Sequence, residues 1–380
     1  MVITVSPHPV DTEAAAPART FGVEEELLLV DAETLEPAAV SPGVVSAQDE
    51  HPAPSGHRIS TELQQEQIEV AGPPVTSLAD QLAVIRRGRE LLDSAARAAG
   101  ARAVALASPV FPALPHLVPR PRYAWLRDRF GLVAAEQLTC GQHVHVGISD
   151  PAEGVAVLDR IRGWLPVLLA LSANSPFWYG RDTGYDSYRY QTWTRWPTAG
   201  PDELVGTPRE YERRCEALLR SGVALDHGML YSDVRLSARY PTVEIRIADV
   251  CLEAGHAAAL AALSRALVET AAAQWRSGAP APRTGVAELR AWSWQASVAG
   301  VGGSLVSPVS GAPAPAAEVV AELLELVRPV LARWGEVAAV ETEVAGLLRD
   351  GSGARQQRTA FAARQDPHDV VRAALAATHR

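Results

Sequence analysis

The sequence of 380 residues contains no lysine, so its 35 basic residues are all arginine. Without lysine the chain cannot form a Schiff base, hold pyridoxal phosphate or supply the lysine of a P-loop. If the protein handles phosphate groups, arginines, metal ions or backbone amides must offset their charge.

Cysteine and long apolar runs are also scarce. The three cysteines, Cys140, Cys215 and Cys251, are odd in number and widely spaced, which is typical of unpaired thiols in a reducing cytoplasm. No run of about 18 uncharged apolar residues occurs, so we expect no membrane-spanning helix. The residues up to about Thr20 lack a basic segment followed by an apolar one, so we expect no signal peptide. Together these absences predict a cytoplasmic protein with no membrane partner.

The excess of negative charge limits the partners. A formal net charge of −9 opposes binding to nucleic acid through general electrostatics. With 47% hydrophobic residues, the chain can bury a large core. We expect residues 1–19 to form a disordered lead and residues 20–380 to form a single domain, because neither a repeat nor a long linker divides them.

Strand and helix patterns follow one another irregularly along the chain. Strand patterns occur near residues 21–30, 58–71, 102–107, 139–148, 230–238 and 241–249. Helical patterns occur at about 76–99, 151–169 with a kink at Pro166, 208–220, 256–276, 316–348 and 367–377. Loops are predicted at 37–56, 197–207, 278–285 and 300–315. This order predicts an α+β fold with an antiparallel or mixed sheet, one face covered by helices and the other open.

Four short segments alternate apolar residues with polar or charged ones. They are residues 23–27, 67–70, 143–146 and 242–247, and in each the polar side chains share one face of a strand. The apolar residues between them can bury against a core. So many ionisable groups, on segments far apart in the sequence, indicate a charged cavity. Carboxylate oxygens with imidazole suit Mg²⁺ or Mn²⁺.

Carboxylates of the first two segments are candidate metal ligands. Glu24 and Glu26 share a face, with Glu25 on the opposite one. The alternative is a charged strand that resists aggregation. Glu69 belongs to the second segment, and Glu62 is a second-choice ligand near its start. The alternative there is a solvated helix.

The other two segments supply imidazoles and oppositely charged pairs. His143 and His145 share a face, and metal ligation or substrate contact competes there with a structural role. Glu244 and Arg246 share a face of the last segment, and Arg235 lies on the strand before it. Salt bridges between strands are one explanation of this group. The other is a carboxylate for a metal, with guanidinium groups for phosphate or a substrate carboxylate.

A further segment, 171–184, is dense in aromatic and hydrogen-bonding groups. It includes Arg181 and is extended by Tyr185, Ser187, Arg189 and Trp193. Loops of this composition often carry binding residues on a rigid scaffold.

Four ordered motifs resemble the type 2 glutamate–cysteine ligase family. They are residues 22–26, 140–147, 169–177 and 242–246, and the resemblance runs from about residue 20 to the C-terminus. It implies the glutamine-synthetase-like fold, in which an antiparallel sheet walls an open funnel. It also implies a carboxylate–amine ligase that uses ATP and Mg²⁺ to phosphorylate a glutamate side-chain carboxylate, from which an amine displaces the phosphate.

The resemblance also implies roles for individual residues. Those that look like metal ligands are Glu24, Glu26, Glu69 and Glu244, with Glu62 and His143 as further contacts. Arg246 resembles an arginine that stabilises the transferring phosphoryl group, and Arg235 resembles a substrate-carboxylate arginine. We expect His145, Arg181 and Arg189 to contact the nucleotide. Phosphoryl transfer fits such a site because its transition state requires positioning and positive charge rather than a protein nucleophile.

One segment departs from the family pattern. Family members carry an arginine-rich segment near residues 292–300, and this chain has Gln295 and Val298 where arginines would align. We therefore expect cysteine to be a poor acceptor and another amine to be preferred.

Three functions compete on the sequence alone. The first is an ATP-dependent ligase that joins a glutamate-like carboxylate to an amine. The second is a metal-dependent amide hydrolase that uses the same carboxylates to activate water. The third is a non-catalytic binding protein. The expected partners are small molecules, and the apolar helix near 256–276 belongs either to the core or to a homodimer interface.

Overall fold

The computed structural model describes residues 18–50 and 56–380, so the expected disordered lead lies almost wholly outside the described residues. The strands in chain order are β1 (Phe21–Asp31), β2 (Arg58–Thr61), β3 (Gln67–Ala71), β4 (Ala101–Val104), β5 (Gln142–Gly147), β6 (Phe177–Trp178), β7 (Arg181–Asp182), β8 (Val234–Leu236), β9 (Thr242–Ile245), β10 (Ser304–Val306) and β11 (Pro313–Pro315).

The helices pack around these strands. In chain order they are α1 (Ser41–Glu50), α2 (Leu78–Ala98), α3 (Pro121–Phe130), α4 (Leu132–Ala135), α5 (Pro151–Ile161), α6 (Leu165–Ser172), α7 (Tyr188–Trp193), α8 (Pro208–Arg220), α9 (Ala254–Arg276), α10 (Val286–Ala299), α11 (Ala316–Arg333), α12 (Val337–Asp350), α13 (Gly353–Arg364) and α14 (Pro367–Thr378).

Seven strands form one antiparallel sheet. The order is β2-β3-β1-β5-β9-β8, and β4 also pairs with β1. The 11-residue β1 can serve two partners on one edge, because β5 pairs with its first half and β4 with its last four residues. β1 is therefore the central strand, and it brings segments that are distant in the sequence side by side.

The apolar residues of the alternating segments bury one face of this sheet. Val23, Val144 and Ile245 belong to a core cluster that includes α9, α5 and α6. Burying each such side chain stabilises the fold by roughly 1.5–3 kcal/mol. Helix α9 has 16 buried residues, many of them alanine, and small side chains let it lie close to the sheet and its neighbours. The helix thus belongs to the core of the chain.

Glu25 shows that the alternation predicted for β1 is correct. Its side chain faces away from Glu24 and Glu26 and is buried against α2, where Arg89 binds both of its oxygens at 2.6 and 3.0 Å. Arg89 also donates to the backbone carbonyls of Cys251 and Leu252. This ion pair joins β1 to α2 and to the segment that precedes α9.

Two predicted helices are interrupted. The helix expected at 151–169 is divided into α5 and α6 by a 3₁₀ turn at Arg162–Trp164, and Pro166 lies in the first turn of α6, where its missing N–H costs nothing. The helix expected at 316–348 ends after Arg333, and Gly335 at φ +70° lets the chain turn before α12 begins. Within the part of the chain that the structure describes, no helix has the length and apolar character needed to cross a membrane.

Candidate active site

The open face of the main sheet forms the floor of a cavity of about 670 Å³. Helix α3, residues 226–231 and the connection between β8 and β9 contribute walls. The charged residues that line it, with the two histidines of β5, are Glu24, Glu26, Arg58, Glu62, Glu69, Arg120, Arg122, His143, His145, Asp226, Arg235, Arg239, Glu244 and Arg246. The four alternating segments thus produce the charged cavity that their pattern predicts.

Strand register determines which of these side chains are neighbours. Because facing residues on antiparallel strands point to the same side of the sheet, each pair below projects into the cavity together. The opposed pairs are Glu26 with Glu69, Glu24 with His143, His145 with Glu244, and Arg235 with Glu244.

Four carboxylates and one histidine form two overlapping groups. Glu24, Glu69 and His143 make the first, and Glu26, Glu62 and Glu69 make the second; within each group the candidate ligand atoms lie within 4.8 Å of one another. Glu62 lies in the turn between β2 and β3. This residue, predicted as a second-choice ligand, is therefore close enough to Glu26 and Glu69 to share a metal with them. Oxygen-rich groups of this spacing fit Mg²⁺ or Mn²⁺, and Glu69 is common to both.

The electrostatics of these carboxylates favour a bound cation. Burial, together with the charges of Glu69 and Glu26, raises the pKa of Glu62 well above its ordinary value. Burial and the charges of Glu24 and Glu26 raise the pKa of Glu69 to about 7. Burial opposes ionisation of Glu24 as well, but interaction with His143 and His145 outweighs it and lowers that pKa. A divalent cation would remove the repulsion that holds protons on Glu62 and Glu69.

The two histidines have different surroundings. Burial, helped by the positive charge of Arg246, lowers the pKa of His143, so its imidazole is neutral near pH 7, as a metal ligand must be. Its Nε2 is buried and has no hydrogen-bond partner. His145 lines the cavity as expected, and its Nδ1 lies 3.0 Å from the hydroxyl of Thr242. The Nε2 of His145 is likewise buried without a hydrogen-bond partner, so each imidazole has a ring nitrogen available for a ligand.

Glu244 lies in the cavity but apart from both carboxylate groups. Arg235 binds its two oxygens at 2.8 and 3.1 Å, and Arg246 donates to one of them. Burial alone would raise the pKa of Glu244, but the charges of Arg246 and Arg235 lower it. In this arrangement Glu244 positions the two arginines, and the structure does not bring it to the other candidate metal ligands.

Two arginines expected to contact a nucleotide lie outside the cavity. Arg181 is exposed on β7. Arg189 is buried, lies 3.7 Å from Asp249, and donates to the carbonyl of Ile247 at 3.2 Å. Its guanidinium passes so close to Gly141 that a Cβ there would lie 2.2 Å from Nη2. Arg189 supports the chain at the end of β9, and neither arginine lines the cavity.

Gln295 and Val298 also lie outside the cavity. Both are on α10, and the Gln295 side chain donates to the carbonyl of Ser304 at 3.1 Å. Neither residue lines the cavity. The structure therefore gives no physical basis for the expectation that these two positions change the choice of acceptor.

Several cavity residues carry no signal in the sequence. Arg58 is the first residue of β2, Arg239 lies in the connection between β8 and β9, and Arg120 and Arg122 flank the start of α3. Arg122 forms an ion pair with Asp226, which joins α3 to the opposite wall. The spacing of these residues is neither that of a strand nor that of a helix. The sequence therefore does not show that their side chains face the cavity. Trp193 is the residue of the predicted aromatic segment that does line the cavity.

Comparison with known sequences identifies the family. Residues 20–376 match the family model described as glutamate–cysteine ligase family 2 (GCS2). A relative from Paenarthrobacter aurescens (strain TC1), with the provisional name glutamate–cysteine ligase 2-1, is 50% identical over 366 residues, 95% of this chain and 95% of the relative. Another from Streptomyces coelicolor, with the provisional name glutamate–cysteine ligase 2, is 46% identical over 367 residues, 95% of this chain and 99% of the relative.

Solved structures share the fold at low sequence identity. A bifunctional glutathione synthetase from Pasteurella multocida has a TM-score of 0.71 at 15% identity over 95% of this chain, which spans about half (52%) of that protein. A glutamate–cysteine ligase from Francisella tularensis, solved in complex with AMP, has a TM-score of 0.61 at 12% identity over 96% of this chain and 89% of that one. The predicted α+β, glutamine-synthetase-like fold is confirmed. The chain belongs to glutamate–cysteine ligase family 2.

Proposed function

We propose that the protein is an ATP-dependent carboxylate–amine ligase that joins a glutamate-like carboxylate to an amine. The observation that carries the proposal is the cavity itself, where two overlapping carboxylate groups lie beside Arg235 and Arg246. Membership of the GCS2 family and the AMP bound to a structural relative support the use of a nucleotide.

The proposed reaction has two halves. An oxygen of the substrate carboxylate attacks the γ-phosphorus of ATP, ADP leaves, and an acyl phosphate forms. The amine nitrogen then attacks the acyl carbon, inorganic phosphate leaves, and the nitrogen loses a proton to give the amide. Neither half needs a protein nucleophile, so the absence of lysine and the burial of all three cysteines are no obstacle.

The chain supplies charge and position for both halves. Glu24, Glu26, Glu62, Glu69 and His143 would hold Mg²⁺ or Mn²⁺, which when bound offsets the charge of the phosphate oxygens. Arg246, oriented by Glu244, would contact the phosphoryl group, and Arg235 would contact a substrate carboxylate. Positive groups fixed in advance stabilise the charge that spreads over the phosphoryl oxygens.

An amide hydrolase remains the second candidate. The carboxylate groups could hold a metal that activates water, which is the observation in its favour. Arg235 could bind a substrate carboxylate in either enzyme, but a second arginine braced by Glu244, Arg246, matches the charge of a transferred phosphoryl group. The arginines therefore favour the ligase over the hydrolase, and the complete charged constellation favours catalysis over binding alone.

The setting proposed for this activity is the cytoplasm, with small molecules as partners. All three cysteines are unpaired and buried, as a reducing compartment allows.

Nucleotide turnover tests the proposal directly. The protein is mixed with ATP, Mg²⁺, glutamate and a panel of amines that includes cysteine, and ADP release is followed. ADP that forms only when both glutamate and an amine are present would support the ligase. Release of ammonia or amine from γ-glutamyl amides without ATP would support the hydrolase, and neither activity across the panel would contradict both enzymes.

A further inference from the structure

Trp193 contributes an unused hydrogen-bond donor to the cavity. Its Nε1–H is buried and has no acceptor, although the residue lines the cavity wall. The Nε of Arg246 is likewise buried without a partner. Buried donors are nearly always paired, and leaving one unpaired costs about 1–3 kcal/mol. Trp193 and Arg246 both line the cavity, so a ligand bound there is an acceptor within reach of both side chains.

The two side chains are held next to each other by stacking. The guanidinium carbon of Arg246 lies over the Trp193 ring, 5.6 Å from its centroid, and that of Arg189 lies over the ring at 5.5 Å. Tyr231 packs against the same ring with a centroid distance of 4.9 Å. Trp193 therefore has little freedom to turn, and its position is coupled to that of Arg246.

The helix that carries Trp193 is fixed to the sheet by Asp249. Ser187, the N-cap of α7, donates to one oxygen of Asp249 at 2.9 Å, and Ser175 donates to the other at 2.7 Å. Arg189 lies one turn before Trp193 on α7 and packs against the same carboxylate. Through these contacts the helix that carries the indole is anchored to Asp249, which follows Arg246 in the chain after β9.

We propose that Trp193 and Arg246 form a two-donor cradle for an oxygen of the transferred phosphoryl group. The proposal rests on the ligase function above and adds Trp193 as a residue that contacts the transferred group directly. Arg246 keeps one arm on Glu244, which leaves its Nε–H as the first donor, and the indole N–H is the second. An anionic oxygen accepts both hydrogen bonds, and such charge-assisted bonds are about twice as strong as neutral ones.

Trp193→Phe separates the donor from the stack, because phenylalanine keeps an aromatic face for Arg246 but has no N–H. We expect the kcat for ADP formation to fall about 10-fold or more, with a thermal midpoint close to that of the wild type. Trp294→Phe is the matched control, since Trp294 is half exposed on α10 and does not line the cavity. Trp193→Leu, which also removes the stack, should lose more activity than Trp193→Phe.

Binding of inorganic phosphate in the presence of Mg²⁺, measured by calorimetry, provides a readout that is independent of turnover. Weaker phosphate binding by Trp193→Phe than by wild type and Trp294→Phe would support the cradle, even if no amine proves to be a substrate and the ligase function fails. Wild-type kcat and phosphate affinity in Trp193→Phe would overturn the cradle while leaving the ligase function intact. A wild-type protein that neither turns over ATP nor binds phosphate would overturn both.

Discussion

Glu69 is the carboxylate that the two groups in the cavity share. Because Glu69 belongs to both groups, Glu69→Gln should disturb metal binding in both of them while keeping the shape of the side chain. We expect turnover to fall at least about 100-fold, since an electrostatic group at a transition state is typically worth roughly 3 kcal/mol. The fold should survive, because the change removes repulsion among clustered carboxylates. Steady-state ADP release measures the effect.

The control for this change is Glu33→Gln, an exposed glutamate in the turn after β1. It should keep wild-type turnover. If Glu69→Gln also retains activity within about threefold of the wild type, the carboxylate groups are not the metal site of a phosphoryl-transfer enzyme.

Asp233, which does not line the cavity, gives the folded protein a pH dependence of its own. The side chain is 1% exposed, and burial raises its pKa to about 7 although the Tyr190 hydroxyl donates to it; Asp202 adds negative charge, while Arg189 and Arg290 oppose the shift. The folded state thus holds a proton that the unfolded chain releases near pH 4. This contribution to stability is complete below about pH 4 and is lost as the pH rises through 7.

Asp233→Asn removes this titration and keeps an acceptor for Tyr190. We expect the variant to become more stable relative to the wild type as the pH rises. The difference between their free energies of unfolding should increase in favour of the variant by at least about 1.4 kcal/mol, the equivalent of one pKa unit, between pH 5 and pH 8. Urea unfolding at the two pH values measures this difference. If the variant and the wild type differ in stability by the same amount at pH 5 and pH 8, Asp233 has an ordinary pKa in the folded protein.

At the scale of elements, the buried pair Arg89–Glu25 shows what strand alternation can and cannot predict. The two-residue period placed Glu25 on the face opposite Glu24, and the structure confirms it. The partner could not be predicted, because Arg89 lies 64 residues away on a helix that also exposes Arg87 and Glu90. Nothing in the spacing of α2 distinguishes the arginine that enters the core.

Other elements were missed for similar reasons. Helix α1 falls within residues 37–56, where proline and glycine predict a loop, yet Pro42 lies in its first turn, where a helix accepts proline. Helix α10 has no clear apolar stripe, since its buried face includes Ser293 and Ser297 while Trp294 is half exposed. Its position is determined by tertiary packing against α6, which a single sequence does not display.

Arg89→Met should destabilise the protein by about 3–5 kcal/mol, because it leaves the charge of Glu25 buried without a partner. Urea unfolding of the variant measures the loss. Arg87→Met on the same helix is the control, since Arg87 is 52% exposed and its ion pair with Glu90 contributes at most about 1 kcal/mol. Adding Glu25→Gln to Arg89→Met should recover part of the stability. Equal losses of stability for Arg89→Met and Arg87→Met would contradict the prediction.

For the whole molecule, the four alternating segments were the informative feature. Alternation with a period of two residues predicts both a strand and the side of the sheet on which each side chain lies. They come from residues spread between β1 and β9, and only β-sheet pairing brings them together. What the sequence could not provide is the opposite wall of the cavity, which consists of loops and of α3. The arginines there, such as Arg120 and Arg239, are placed by chain path rather than by periodicity.

The clustered carboxylates make the stability of the whole chain depend on divalent cations. Without a cation, repulsion within the two groups opposes folding, and a cation that binds only the folded state stabilises it by mass action, about 2.7 kcal/mol at a hundred times the dissociation constant. We expect saturating Mg²⁺ to raise the thermal midpoint by at least about 3 °C relative to NaCl of equal ionic strength. A chelator should reverse the rise. Glu33→Gln should keep the rise and Glu69→Gln should lose most of it, whereas an equal rise in both variants would place the responsive cation outside the cavity.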